Sequence, residues 1–546
     1  VNNTKPWEEG DPESKICILG EAPARTEVRL GRPLVGPSGQ LLEQCMHAAG
    51  IVRRECYLTN VFETEVKKSK TGDMVTTTEG DILWTKKGGL TELGEKRSNG
   101  CVERLAACAA NVIVPLGGTA LGFLVGDNRI MKWRGSILTA GEKAPKRKVI
   151  PTIHPAASLR GNYTWRHFIA SDLAKAKKES EYSELRLLER TLLIDPTYEE
   201  AISFLEDCKH AKAVAFDIEV INHQVSCISF ATSPVMCMSI PFVDDGGKDR
   251  WSEQAEEDIW LAIEDVLSNP TIDKIGQNLI FDISFLFMQN SITTKGRICD
   301  TMVAHHIIYP DFPKGLDFLC SMHTNEPYYK DDGKLWKKPW ADLEAFWLYN
   351  CRDSATSFEI WEAIESILTD DDYLKSYQDT IDLFPVLIYM MARGVRVDRD
   401  ALAKTKERVE EQIKKKEDEL EKVAEHSFNP ASPKQCQEYF YVTKSIKPYI
   451  SRSTGRPTTD DKAMSRIYRR HHLPEAKLVQ EIRSLKKLHG TYLEVGVDKD
   501  DRIRCSYNPR GTVTGRLSSS QTIFGTGMNM QNLHPEFKEF IIADRE

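Results

Sequence analysis

Four short apolar runs constrain the first third of the chain. They are Ile16-Cys17-Ile18-Leu19-Gly20, Cys56-Tyr57-Leu58-Thr59, Val112-Ile113-Val114-Pro115-Leu116-Gly117 and Val149-Ile150-Pro151-Thr152-Ile153. Runs this short with no polar alternation suit strands buried on both faces. Helical patterns lie between some of them, such as Gly39-Gln40-Leu41-Leu42-Glu43-Gln44-Cys45-Met46. Strand and helix in alternation predict a parallel α/β sheet over residues 1–182. The charged run from Lys175 to Glu181 then reads as a solvated helix end or linker.

Two further segments follow. Residues 190–375 restart with the strand-like run Ala213-Val214-Ala215-Phe216-Asp217-Ile218-Glu219-Val220. They close on a long amphipathic pattern holding Phe346, Trp347, Phe358, Trp361 and Ile364. Residues 376–546 open with the apolar helical stretch Ile381 to Arg393, ended by Gly394. Glu and Lys interleave from Lys404 to Glu425, as expected of an exposed helix. From about Ser506 the chain is rich in Gly, Ser, Thr and Asn and reads as loop. The fold class expected is therefore α/β multidomain.

Composition removes several classes. Apolar residues make up 41% and charged residues 28%, as in ordinary globular proteins. No stretch approaches the ~18 apolar residues of a membrane span. Val1-Asn2-Asn3-Thr4-Lys5 offers no apolar core for a signal peptide, so a cytoplasmic location is expected. The 13 cysteines include no Cys-x-x-Cys, which argues for a reducing compartment, buried thiols and no zinc ribbon. Net charge is -8, a sum that can hide local patches.

The middle segment carries three acidic motifs. Asp217 and Glu219 are two apart on a strand, so both leave the same face. Asn278 and Asp282 are four apart and would share a face of a helix that follows a short strand. Tyr349 and Asp353 are four apart on a strongly helical pattern. Any one of these pairs is usually surface charge; all three in order, each beside an apolar element, are far more specific. Buried unpaired carboxylates are costly, and bound metal is their natural compensation. Hydrolysis of a phosphodiester by two hard cations needs oxygen ligands of this kind.

The segment resembles the DEDDy-type 3′–5′ proofreading exonuclease of family A DNA polymerases. The likeness rests on Phe216-Asp217-Ile218-Glu219, Asn278-x3-Asp282, Cys299-Asp300-Thr301-Met302-Val303-Ala304-His305 and Tyr349-x3-Asp353. It implies an RNase H-like domain and a site of two divalent ions, Mg²⁺ or Mn²⁺. Asp217, Glu219 and Asp353 would hold one ion, and Asp217 with Asp282 the other. Tyr349 would position the water, and Asn278 would help shape the site.

The last segment holds Thr514-Gly515-Arg516-Leu517-Ser518-Ser519 and Asn529-Met530-Gln531-Asn532-Leu533. It resembles the family A signature where thumb meets palm, with an insertion from Ser520 to Met528. That likeness implies a mostly helical thumb with the start of the palm, and makes Arg516, Asn529, Gln531 and Asn532 primer–template contacts. Residues 434–489 hold thirteen Lys and Arg against five acids, a local excess of eight suited to gripping phosphates. The family's palm and fingers catalytic residues are not found, and Asp544 lacks their surroundings. The chain alone is expected not to extend a primer, and a second polypeptide carrying palm and fingers is a possible partner. DNA with a single-stranded 3′ end is the expected substrate. A DNA-binding accessory or repair protein without synthesis is the alternative, and a stand-alone RNA nuclease a third reading.

In the first segment, four strand ends carry Glu21, Asn60, Gly117-Gly118 and His154. In a parallel sheet ligands sit beyond such ends. Gly20-Glu21-Ala22-Pro23 through Gly31-Arg32-Pro33-Leu34-Val35-Gly36-Pro37-Ser38-Gly39-Gln40 and His154-Pro155-Ala156-Ala157 resemble the two motifs of the uracil-DNA glycosylase superfamily, near its families 4 and 5. The resemblance implies a parallel-sheet glycosylase-like domain with a site at Glu21, Leu34, Asn60 and His154. Leu34 stands where the family usually stacks an aromatic on uracil, so a DNA-binding role is expected ahead of uracil excision. One cysteine, Cys17, precedes Glu21, so no iron–sulfur cluster is expected.

Overall fold

The computed structural model describes residues 5–69, 74–85, 87–244, 247–331, 342–369 and 371–544. Residues 1–4 of the N-terminal reading, and 545–546 at the end of the last segment, lie outside that set. The chain forms two compact units: Val1–Ile283 with Ser291–Gln378, and Ser284–Asn290 with Asp379–Glu546.

The first unit contains two six-stranded sheets. The first runs β1 (Glu8–Glu9), β2 (Ile16–Gly20), β3 (Cys56–Asn60), then, past a small inserted sheet, β8 (Val112–Pro115), β9 (Leu138–Thr139) and β10 (Lys148–Val149). Its spatial order is β1-β3-β2-β8-β10-β9. The middle four strands are parallel, with antiparallel β1 and β9 at the edges. Every residue of β2, β3 and β8 is buried, as unbroken apolar runs require. The insertion is an antiparallel meander of β4 (Val66–Lys68), β5 (Val75–Thr77), β6 (Ile82–Thr85) and β7 (Gly89–Leu90). Its strands are two to four residues long, too short for the hydrophobic pattern to announce them.

The second sheet comprises β11 (Thr191–Leu193), β12 (Ala213–Ile221), β13 (Gln224–Ser233), β14 (Met236–Pro241), β15 (Asp273–Gly276) and β16 (Ile298–Asp300). Its order is β11-β14-β13-β12-β15-β16. The β12-β13-β14 meander is antiparallel, and β15 and β16 add in parallel. The 23-residue helix Leu343–Glu365 packs on this sheet, with the Ser354 hydroxyl 2.7 Å from that of Ser229 and with Phe346 and Trp347 clustered with Cys227.

Two readings of the sequence are corrected here. The run from Lys175 to Glu181 is not simply a solvated end. The helix Trp165–Glu179 carries it, and Glu179 is fully buried with Lys148 Nζ 2.6 Å from its carbonyl and 3.3 Å from Oε2. Lys175 Nζ donates to the carbonyls of Gly135, Ser321 and Thr324 at 2.6–2.7 Å. Interior partners tame the charges, and composition does not reveal partners. Asn278 is also not on the helix with Asp282. It takes φ +62° just ahead of the helix Leu279–Asn290. Asn is one of the residues that tolerates that conformation.

The second unit is mostly helical, with Arg399–Ala424, Asp461–His471 and Pro474–Leu488 as its main helices. Met464, Ile467, Val479 and Ile482 build one core cluster, and Val409, Leu488 and Phe537 belong to another. The Lys404–Glu425 stretch is largely exposed, with Val409 and Leu420 as its buried anchors. The region after Ser506 is not all loop: Ser506–Asn508 pairs antiparallel with Ser518–Ser520.

Candidate functional site

The acidic site forms on β12. Its alternation sends Asp217 and Glu219 to one face, where the helix Leu343–Glu365 brings Asp353. One carboxylate oxygen from each of the three lies within 4.8 Å of the others. Asp282 joins from the first turn of the helix Leu279–Asn290, its Oδ1 accepting the Ile218 N–H at 3.0 Å. Asn278 helps at one remove. Its N–H and that of Leu279 donate to the Asp300 carboxylate, at 3.3 and 2.8 Å, which fixes the turn that delivers Asp282. Asp300 also caps the helix Thr301–Ile308, and burial outweighs those amide bonds to push its carboxyl up to about 6.

Electrostatics mark the site as short of positive charge. Burial, then the charge of Asp353, pushes the Asp217 carboxyl up to about 8. Burial, then Asp217 and Asp353, raises Glu219 well above the usual carboxylate range. Burial, then Asp217, does the same to Asp282. A hydrogen bond from Asn350 Nδ2 to Asp217 Oδ2 at 2.9 Å is a partial counterweight. Desolvated carboxylates packed this closely are a donor set for hard cations.

Motif reading missed three contributors. Asn350 is fully buried and is itself held by Ser239 Oγ at 2.9 Å. Tyr329 donates its hydroxyl to Asp353 Oδ1 at 2.8 Å. Lys330 Nζ bridges Tyr349, 2.6 Å from its hydroxyl, and Asp353 Oδ2. No spacing rule links a loop at 329–330 to a helix twenty residues later. The only signal was the aromatic-rich Tyr328-Tyr329-Lys330 run itself.

A cavity of about 520 Å³ opens at the carboxyl ends of β2 and β8. Glu21, Leu34, Lys68, Gly117 and His154 are among its lining residues. Lys68, from the inserted meander, reaches 2.8 Å from Glu21 Oε2. Leu34 sits at φ +49° in a loop whose Val35 and Gly36 amides donate to buried Glu27, at 3.0 and 2.7 Å. His154 caps the helix Pro155–Arg160 by accepting the Ala156 N–H on Nδ1 at 3.1 Å. Burial lowers its imidazole to about 4, so the ring is neutral at pH 7. Gly117 is needed at φ +85°, because a Cβ there would lie 2.9 Å from His154 Cβ. Asn60 differs from the other three. It is buried behind Gly20 and does not line the cavity, and its Oδ1 has no hydrogen-bond partner among the described residues.

In the second unit, Arg516 is exposed in a turn closed by Thr512 Oγ1, which accepts its N–H at 3.0 Å. Asn529 is exposed, and its Oδ1 accepts from Ser519 Oγ and the Gln531 N–H at 2.8 and 2.9 Å, bracing the loop. Gln531 and Asn532 are exposed. The basic excess is partly structural. Arg483 donates to Pro430 O at 2.7 Å, and Lys486 and Lys444 pair with Glu417 and Glu475 at 2.6 and 3.2 Å. Asp544 pairs with Arg393 and Arg502.

Comparison with known proteins matches each part to a family. Residues 7–176 match the uracil DNA glycosylase superfamily, 194–369 the 3′–5′ exonuclease, and 399–543 DNA polymerase family A. The last segment of the chain carries the match to DNA polymerase family A. A DNA polymerase of Bacillus phage SP01 is 22% identical over 95% of this chain and 63% of its own length. DNA polymerase I of a Synechocystis strain is 29% identical over 49% of this chain and 28% of its own. A type-4 uracil-DNA glycosylase of Thermotoga maritima is 31% identical over 31% of this chain and 79% of its own. The chain thus spans less than two thirds of either polymerase's length, while its N-terminal domain belongs to the uracil-DNA glycosylase superfamily. Among the described residues no helix is long and apolar enough to cross a membrane.

Proposed function

We propose that this chain serves DNA synthesis with 3′–5′ proofreading, and that its own hydrolytic centre removes nucleotides from DNA 3′ ends. The observation that carries the reading is the cluster of half-buried Asp217 and Glu219 with buried Asp353, and Tyr349 beside it. The donor set fits divalent cations: four carboxylates face one lysine, and three of them are held toward protonation. Asp217, Glu219 and Asp353 would hold one Mg²⁺ or Mn²⁺, and Asp217 with Asp282 a second. Bound there, such ions acidify a water and neutralise charge on the phosphodiester. The chain's own residues do the rest. Asn350 fixes the rotamer of Asp217, and the Tyr349 hydroxyl aligns the attacking water. Arg516, Gln531 and Asn532 present donors to a primer–template, with Asn529 bracing their loop. A 5′-labelled single strand should shorten in Mg²⁺, and not in EDTA. Glu219→Gln should slow digestion by about a hundredfold or more. Undiminished digestion by that variant would remove Glu219 from the site. Faster digestion of RNA than of DNA would favour a stand-alone RNA nuclease.

The N-terminal pocket takes an unstacked base of single-stranded DNA, held without excision. Its polar groups and volume suit a flipped nucleobase. The Lys68 ion pair engages the Glu21 carboxylate that would otherwise activate water. The full chain should bind uracil-containing single-stranded DNA and release no abasic product. Abasic product that disappears in Glu21→Ala would establish excision instead.

A further inference from the structure

One strap of chain, residues 321–331, joins the acidic site to the glycosylase-superfamily domain. Its outer side is held by the glycosylase-superfamily domain. Lys175 Nζ binds the Ser321 and Thr324 carbonyls at 2.6 and 2.7 Å, and Asn325 Nδ2 donates to Glu179 Oε1 at 3.1 Å. The Tyr328 ring meets Trp133 edge-on at 5.8 Å, with Lys132 Nζ 4.8 Å from its centre. Lys132 also pairs with Asp331, which Arg129 approaches at 3.7 Å. The inner side turns Tyr329 and Lys330 into the acidic site. Tyr329 engages Asp353 Oδ1, and Lys330 engages Asp353 Oδ2 and the Tyr349 hydroxyl. The short helix Ile130–Trp133 completes the link. Ile130 and Met131 line the N-terminal cavity, while Lys132 and Trp133 grip the strap.

We propose that Tyr329 and Lys330 are positioning residues of the exonuclease, set in place by the N-terminal domain through the 321–331 strap. The inference rests on the nuclease reading of the acidic site. Both oxygens of Asp353 are spoken for, so the carboxylate has one orientation. The Tyr349 oxygen accepts from Lys330, so its own hydrogen is directed away from the ammonium and is free for water. Lys330 also places a cation beside a site built for cations. It therefore weakens metal binding while it orders the groups that use the metal. Generic damage would weaken both; loss of Lys330 should separate them.

The test uses the full chain with Lys330→Met, Lys330→Arg, Tyr329→Phe and the remote Lys132→Met. Mn²⁺ affinity is measured without DNA by paramagnetic resonance, and kcat and KM on a 3′-labelled single strand. Lys330→Met should bind Mn²⁺ about threefold tighter or more, since a repelling charge is gone. It should cut at least about tenfold more slowly with KM within about twofold. Lys330→Arg should recover part of kcat, and Tyr329→Phe should lower kcat alone. Lys132→Met should lower kcat about threefold with its melting temperature unchanged. Wild-type kcat in both Lys330→Met and Tyr329→Phe overturns the proposal, and wild-type kcat in Lys132→Met overturns the link to the N-terminal domain. If the wild-type chain binds Mn²⁺ yet cuts nothing, the nuclease reading fails by itself. The Mn²⁺ affinities then decide, and equal values in wild type and Lys330→Met overturn the positioning role.

Discussion

Asp217→Asn should abolish metal-dependent digestion of a DNA 3′ end and, in EDTA at pH 8, make the chain harder to unfold. Asp217 is shared by both proposed metal positions, so activity should fall by about a thousandfold or more. The stability gain comes from the same burial. Its carboxyl is raised to about 8 in the fold, against about 4 in an unfolded chain. Between those values the folded state holds the extra proton, so stability is lost as pH rises through the window. Asparagine has no charge to bury and can still meet Asn350. The expected gain is about 1–3 kcal/mol at pH 8 without metal. The difference should vanish near pH 4, and saturating Mg²⁺ should reverse it, since ligand bound to the native state stabilises the wild type alone. Urea midpoints at pH 4.5 and 8, with EDTA and with Mg²⁺, provide the check. A variant less stable than wild type in EDTA at pH 8 would mean the carboxylate is compensated by the fold.

Asp172→Ala should cost the first unit about 3–5 kcal/mol, because it strands a buried guanidinium. Arg134 and Asp172 are 3% and 1% exposed and meet through two nitrogens, with Nε 3.1 Å from Oδ2. Arg134 Nη1 also donates to Ser321 Oγ at 2.8 Å, and its plane lies 4.9 Å from the Phe318 ring centre. Arg134→Met should cost less, because Asp172 keeps the Thr152 hydroxyl at 2.8 Å. Replacing both partners with apolar groups should cost less than Asp172→Ala alone. Equal midpoints for Asp172→Ala and wild type in urea unfolding would show the pair to be neutral.

What the sequence disclosed follows from range. Asp217 and Glu219 were legible because a strand's period of two is strictly local. Tyr349 and Asp353 were legible because one helix carries both. Asn278 was legible by spacing but not by conformation, since its positive φ belongs to a turn that Asp300 organises from 22 residues away. Lys330 and Tyr329 were not legible, because their partners are set by the path of a loop. The same holds for Lys175, whose charge suggested solvent while three distant carbonyls enclosed it. Asn60 carried the right residue type at a strand end, yet its side chain turned inward behind Gly20.

The seam held by Arg134, Lys175 and Phe168 bears on how such a protein can be taken apart. The exposed stretch after Tyr182 looks like a place to cut, since the chain there lies outside any helix or strand and is open to solvent. A cut there would leave Phe168 without Phe312 and Phe318, whose rings it meets edge-on at 4.8 and 4.9 Å. It would also open the lysine's three-carbonyl cage to water. Exchange of the first domain between relatives would meet the same obstacle, since a transplanted domain must bring a surface that fits residues 312–331 of its host. The portable cassette is the whole first unit, and co-inheritance of its two halves is built into their shared interior.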